Sequence, residues 1–489
     1  MDRLKTKGLR GLTVGLALIL PAVWGCSTNP ATGRPQLALI SEQQEIELGR
    51  DYDQQIQRLL GVYPDPKLQE NVDRIGQKLA AGSERKDLAW TFRVVDDSVV
   101  NAFALPGGHV YVTRGLMTHL TSEAELAAVL GHEIGHVTAR HSVTQMSKQR
   151  LAKIGVLAGA LISPTLAGFA AHGLDVLFLK YSRDDERQAD DLGLRYMVAQ
   201  GYDPREMPRV FEVLRRVSEG QGGQRIPEWQ STHPSEEERI RATSAAVARL
   251  GNDFRGRVVG REEYLRSLDH VAFGRNPREG YFLGSTFVQP ALAAEIRFPE
   301  GWKTANGRSS VEAVAPKQDA VLVMTLSGEA SWRKAAREFF LHAGMESGET
   351  LSMEVNGQPG VVRTFGLADT DAGDLQGVAG FIEYGGRVHQ ILGITRAQDW
   401  QRYQEALTAA VESFRPEIDR SLLDVQPKRL EIVTLPAAMT LEEFSRRYPS
   451  TVDLKTLVLI NQADAATGFA AGDEVKRVVG GELPEGAKL

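Results

Sequence analysis

The chain has almost no cysteine: Cys26 stands alone among 489 residues. No intrachain disulfide can form, so packing, hydrogen bonds and any bound metal must hold the fold. There is no long run of Lys and Arg beyond the N-terminus, and the formal net charge is −6. Both argue against nucleic acid as a partner. No apolar stretch is a comfortable membrane span, which needs about 20 residues. No internal repeat is evident.

What is present is ordinary for globular protein: 42% hydrophobic and 25% charged residues, enough to build cores. The length suggests about three domains. Arg3, Lys5, Lys7 and Arg10 precede the apolar run from Gly11 to Leu20, a secretory signal pattern. Gly25-Cys26 resembles a bacterial lipobox, in which the Cys is lipidated and becomes the mature N-terminus. Ser27 follows instead of Asp, which in that resemblance implies an outer-membrane lipid anchor facing the periplasm. The alternative is a plain signal peptide with a structural Cys. Residues 1–25 are therefore read as signal peptide. Residues 26–40, rich in Pro, Gly, Thr and Asn, are read as a lipidated tether.

Ser41 with Gln44 and Ser122 with Glu125 form capping-box patterns that open helices. Pro66 to Gly82 carries Leu68, Val72, Ile75 and Leu79 on one helical face. Trp90 to Val95 alternates as a strand. Asn101 to Leu105 and His109 to Thr113 flank Gly107-Gly108 and read as a hairpin. Residues 151–179 are apolar. They fit two buried helical pieces around Ser163-Pro164 better than a membrane contact.

The helix after Ser122 contains His132-Glu133-Ile134-Gly135-His136. Two histidines four apart lie on one helix face, so their imidazoles can converge on one zinc ion. Glu133 is placed to act as a base beside the metal. The apolar stripe Leu126, Val129, Leu130, Ile134 and Val137 runs beside the histidines, where a metal would be half buried. A catalytic zinc needs a third protein ligand and one open position. Glu186, on a separate predicted helix 50 residues after His136, is the candidate. Asp190 lies one turn further on and can fix the tautomer of a ligand histidine. His141 follows His136 by five and points off the ligand face, so it is read as supporting a ligand rather than binding the metal itself.

Several stretches together resemble the gluzincin peptidase family that includes HtpX and the CAAX prenyl protease. They resemble its bacterial outer-membrane lipoprotein members (BepA/LoiP-like) most closely. The stretches run from Cys26 to Gly33, Asn101 to Gly108, His132 to His141, Ser182 to Asp190 and Ser231 to Pro234. The resemblance covers about 26–250 and implies one zinc ion per chain on His132, His136 and Glu186, with Glu133 as base. There is no evident TPR array at the C-terminus. His233, stiffened by Pro234, could donate to the oxyanion or swing onto the metal as a fourth ligand; loop 219–234 would then gate the site. The strand His109 to Thr113, as outer strand of its hairpin, could pair with an extended substrate. That makes Asn101, His109, Val110, Tyr111 and Val112 substrate-contact candidates.

The expected fold is α+β and multidomain. A mostly helical zincin-type peptidase domain (41–280) has a small sheet along its cleft. An α+β domain (286–415), faintly PsbP-like, follows. A linker (416–431) leads to a LysM-like module (432–480) suited to peptidoglycan, and the tail (481–489) is expected to be mobile. The expected function is zinc-dependent endopeptidase action on misfolded or unassembled envelope proteins. The competing reading is a cell-wall- or partner-binding lipoprotein with a structural or silent zinc site.

Overall fold

The computed structural model describes residues 26–157, 179–220, 233, 236–307, 310–341, 344–368, 370 and 373–489. The expected signal peptide, the apolar stretch from 158 to 178 and most of the 219–234 loop lie outside them. Among the described residues, no helix is long and apolar enough to cross a membrane.

The chain begins with a small hairpin, β1 (Cys26–Thr28) against β2 (Pro35–Leu37). Helix α1 (Glu42–Leu60) starts at Ser41, whose side chain accepts from Gln44 N while the Gln44 side chain accepts from Ser41 N. Helix α2 (Pro66–Ala80) is capped by Asp65 and has Pro at its first position, where a missing N–H costs nothing. A three-stranded sheet follows: β3 (Thr91–Val95), β4 (Ala102–Leu105) and β5 (His109–Thr113). Gly107 and Gly108 turn the β4–β5 hairpin with φ of +80° and +100°, a region closed to most side chains.

The sheet order is β3-β5-β4, with β3 parallel and β4 antiparallel to β5. This corrects the expectation for His109 to Thr113. That strand is central, both its edges are taken, and it cannot accept a substrate strand. Val110, Tyr111 and Val112 are core residues, and the Tyr111 hydroxyl donates to the buried Asp53. The free edge belongs to β4.

Short α3 (Arg114–His119) leads into α4 (Glu123–Thr138), which is buried along its whole length. Then come α5 (His141–Leu157), α6 (Arg183–Ala199), α7 (Glu206–Gly220) and α8 (Glu236–Arg249). Ser122 caps α4 through Glu125 N as expected, but the Glu125 carboxylate reaches back to Thr121 N rather than closing the box on Ser122. The N-terminal segment is no loose tether. Asn29 Nδ2 donates to Ala139 O at 3.3 Å, Leu39 N to Ser147 Oγ at 2.9 Å, and Arg140 reaches Ser27 Oγ and Ile40 O.

Residues beyond 277 build a seven-stranded antiparallel sheet. Its order is Lys303–Asn306, Ser310–Val314, Ala320–Ser327, Arg387–Arg396, Leu375–Tyr384, Gln358–Leu367 and Met345–Val355. Alternate residues of Leu375–Tyr384 enter two different cores: Val378 and Ile382 pack with the helix Trp400–Glu412, Ala379 and Phe381 with the helix Trp332–Phe340. Both faces of the sheet are therefore covered.

The C-terminal segment differs from a module on a linker. Strand Lys428–Thr434 pairs with Glu474–Gly480 and with β6 (Ala272–Phe273), which lies directly after the first helical body. Leu430, Leu457, Ile460 and Val478 share one hydrophobic core with Leu126, Leu130 and Ile134 of α4. Residues 428–431, expected as linker, are strand. The expected mobile tail pairs Ala487–Lys488 with Tyr281–Leu283. Lys476 is fully buried and donates to Thr118 O at 2.8 Å and Leu120 O at 2.6 Å. Burial pulls its ammonium down to about 7. Gln462 Nε2 bridges His119 O and Glu125 Oε2, both at 3.0 Å. The C-terminal segment thus holds the start of α4. Lys476→Met leaves two buried carbonyls without a donor. It should cost about 1–3 kcal/mol, read as a lower thermal midpoint of the whole chain; an unchanged midpoint would show that the segment does not brace this core.

Candidate metal centre and cleft

The site is made where α4 crosses α6. A Cβ on Gly193 of α6 would lie 2.7 Å from His132 N, and one on Gly135 of α4 would lie 2.8 Å from Ala189 O. Such separations are closed to real side chains, so glycine at these positions lets the two backbones touch. Glu186 and Asp190, one turn apart on α6, then reach the histidines of α4.

His132 Nε2 and His136 Nε2 lie 3.0 Å apart. The Glu186 carboxylate is 3.4 Å from His136 Nε2 and 3.6 Å from His132 Nε2. His233 Nδ1 completes the group, 3.0 Å from Glu186 Oε1 and 3.3 Å from His132 Nε2. These four residues present one donor atom each, all within 4.8 Å of one another. A tetrahedral ion with ligand bonds of about 2.0–2.1 Å needs its donors about 3.4 Å apart, and imidazole plus carboxylate suits zinc. The residues present therefore fit the metal.

The surroundings keep the donors in usable form. Asp190 Oδ1 lies 2.8 Å from His132 Nδ1 and accepts its proton, turning the Nε2 lone pair toward the cluster. Burial, then Arg239, pulls the His132 pKa down to about 3, so the ring is neutral. Burial alone would raise Glu186, but His233 and Arg239 outweigh it and hold the carboxyl well below its usual range. His141 stands behind His136, with the two Nδ1 atoms 2.9 Å apart, and its Nε2 meets Gln188 Oε1 at 3.0 Å.

Glu133 is 1% exposed and its Oε1 has no hydrogen-bond partner. It lies 3.8 Å from His233 Nε2. Burial pushes its carboxyl up to about 7, and the Ala104 backbone of β4 counters this in part. A poised base thus sits against the free edge strand. Asn101, which precedes β4, is buried with its Oδ1 unpaired. His109 is elsewhere occupied, its Nδ1 2.9 Å from Thr91 Oγ1.

The site is deeper than the half-buried position expected from the helix stripe, since His132, His136 and Glu186 are each 1% exposed. Sequence reasoning missed Arg239 of α8. Its guanidinium is buried, contacts Asp190 at 2.6 Å and Glu186 at 3.1 Å, and stacks over the Phe211 ring at 4.0 Å. In the sequence it follows three glutamates and reads as a solvated helix face. Tyr181 was also missed; its ring lies on His136 with centroids 4.0 Å apart. One signal was available for the crossing: Gly131 and Gly135 recur on the same face as the histidine pair.

Residues 66–247 match the family model described as peptidase family M48. The mitochondrial metalloendopeptidase OMA1 of Arabidopsis thaliana is 35% identical over 223 residues, 45% of this chain and 42% of its own length. The beta-barrel assembly-enhancing protease of Escherichia coli (strain K12) is 30% identical over 266 residues, 51% of this chain and 53% of its own. The chain spans about half the length of these curated relatives. Cyanobacterial PsbP from Synechocystis sp. PCC 6803, a solved structure, matches 28% of this chain and 94% of its own at 12% identity and TM-score 0.23.

Because the crossing tolerates only glycine, Gly193→Ala should force the helices apart. Overpacking of this kind costs about 1–3 kcal/mol. The expected result is a lower thermal midpoint together with less than one zinc per chain after dialysis; full zinc loading would show that the close approach is not what assembles the ligands.

Proposed function

We propose, for a chain whose residues 66–247 belong to peptidase family M48, a zinc-dependent endopeptidase that cuts extended segments of misfolded or unassembled envelope proteins. The observation that carries this is Glu133. A purely structural metal site needs no base, yet here a buried carboxylate with an unpaired oxygen faces the donor cluster and the strand edge.

His132, His136 and Glu186 would hold the metal. Zinc bound there would polarise the scissile carbonyl and lower the pKa of its water to about 7. The chain's own part is positioning and proton handling. β4 has a neighbouring strand on one side only, so a substrate strand can add to its other edge by main-chain hydrogen bonds. Recognition of that kind favours unfolded polypeptide over any particular sequence. Glu133 takes the proton of the attacking water and passes it to the leaving amine. Arg239 holds Glu186 and Asp190 in place, and Asp190 holds His132.

His233 occupies the space that a fourth donor would take, facing Glu186 and His132 with Nδ1. We read it as a stopper that restrains the site until the His233 side chain is displaced. Restraint suits a peptidase placed among proteins it must mostly spare. The envelope setting rests on the signal pattern and on Cys26 as lipid anchor, and on the likeness to a protease named for β-barrel assembly. The hairpin β1–β2 would then hold the site close to the outer membrane.

Casein cleavage by the full chain tests the reading. Glu133→Gln should lower the rate by about 10²–10⁴-fold while zinc content and melting stay the same, and a chelator should silence the wild type until zinc is returned. Equal, chelator-insensitive rates in both proteins would sink the enzyme assignment. His233→Ala should raise basal cleavage severalfold. A fall in rate would make His233 an oxyanion donor, and no change would remove it from the mechanism.

A further inference from the structure

A second cavity, of about 470 Å³, lies where the seven-stranded sheet meets the C-terminal end of α1. Its walls include Arg58 and Leu59 from α1, Leu292, Met324, Arg387 and His389. The volume falls in the range of small-molecule pockets, about 300–1,000 Å³. None of its residues belongs to the metal centre.

Three features set it apart from a packing gap. His389 is 1% exposed, yet neither ring nitrogen has a hydrogen-bond partner. Native interiors seldom leave buried polar atoms so, and such an atom calls for a ligand or water. Burial, then Arg387, lowers the His389 pKa to about 4, so the ring is neutral and offers one donor and one acceptor. Its ring lies on Phe414, with centroids 4.6 Å apart, which fixes its orientation. The Arg58 and Arg387 side chains are exposed, and their guanidinium groups have no hydrogen bond or ion pair among the described residues. Against these two guanidinium groups the cavity sets a single carboxylate, Glu279. The remaining wall is mixed: Leu59, Leu292, Met324 and Leu326 form an apolar patch, and Gln289, Asn306, Ser310 and Thr325 line the rest.

We propose that this cavity binds a small carboxylate with an apolar body. The carboxylate is taken by Arg58 and Arg387, the body lies against Leu59, Leu292 and Met324, and His389 supplies a neutral hydrogen-bonding group at the boundary. A fatty acid and an apolar C-terminal residue of a polypeptide share this chemistry. Both occur where membrane and unfolded protein meet. The site is separate from peptide-bond cleavage, though α1 joins the two regions. Asp53 of the same helix bonds the Tyr111 hydroxyl, and Gly49 packs on Pro106 of the β4–β5 turn.

Isothermal titration of the full chain with decanoate, acetyl-phenylalanine and acetyl-phenylalanine amide tests this. At least one acid should bind, the amide should bind at least tenfold more weakly than its acid, and the double variant Arg58→Gln/Arg387→Gln should lose tenfold or more in affinity. Decanoate alone binding would assign the site to lipid, acetyl-phenylalanine alone to chain termini. Both arginines are on the surface, so this variant should keep its melting temperature and caseinolysis. His389→Phe removes both unpaired ring nitrogens at nearly constant volume, so it should weaken binding and leave the melting temperature equal or higher. No binding by either acid at millimolar concentration, equal binding of acid and amide, or binding unaffected by the arginine variant would overturn the proposal.

Discussion

Helices α4 and α6 pass so close that a methyl group at Gly193 or Gly135 would press on the opposing backbone. The rest of the site depends on that approach. Metal ligands on two helices must bring their donor atoms within a few ångströms of one point. An imidazole reaches far from its helix axis, but a glutamate shares the space with a second imidazole behind it. Backbone contact at the glycines removes the gap that larger residues would leave. Glu186 and Asp190 then meet His136 and His132 without stretched side chains, and α4 supplies donors and base from one rigid turn.

Such a packed site gathers more charge than an apolar interior tolerates. Glu133, Glu186 and Asp190 are all buried, and like charges this close disfavour joint ionisation. Arg239 answers two of them directly, and its planar face lies on Phe211. Removing one partner of such a group leaves an uncompensated buried charge, at a cost of about 3–5 kcal/mol. Burial, joined by the neighbouring Glu186 carboxylate, pushes the Glu133 carboxyl upward against the opposing pull of Arg239, toward the range where a base works near neutral pH.

Both ends of α4 are held by segments far away in sequence. At the start, Gln462 and Lys476 reach its preceding turn from the C-terminal segment. At the end, Arg85 donates to Val137 O and Asn29 to Ala139 O. Arg140 turns the chain with φ of 58° and ties it to Ser27, Ile40 and Glu45. The helix that carries the chemistry is therefore fixed by the first and last parts of the described chain.

Local chemistry determined much of this protein. The His132–His136 spacing put two imidazoles on one face because an α-helix repeats every 3.6 residues, and Glu133 followed as base. Ser41, Ser122 and Ser182 opened helices because each side chain can satisfy an orphan N–H. The Gly107-Gly108 turn followed from its positive φ. The third dimension decided what depends on partners from elsewhere. Strand order made β5 central and gave the free edge to β4, since pairing with β3 is a contact across distant sequence. Arg239 and the C-terminal brace were hidden for the same reason: a charged residue on a helix looks alike whether water or a buried carboxylate lies opposite. Periodicity reports which face is apolar, but the identity of the group that meets a polar side chain is set only when the chain closes on itself.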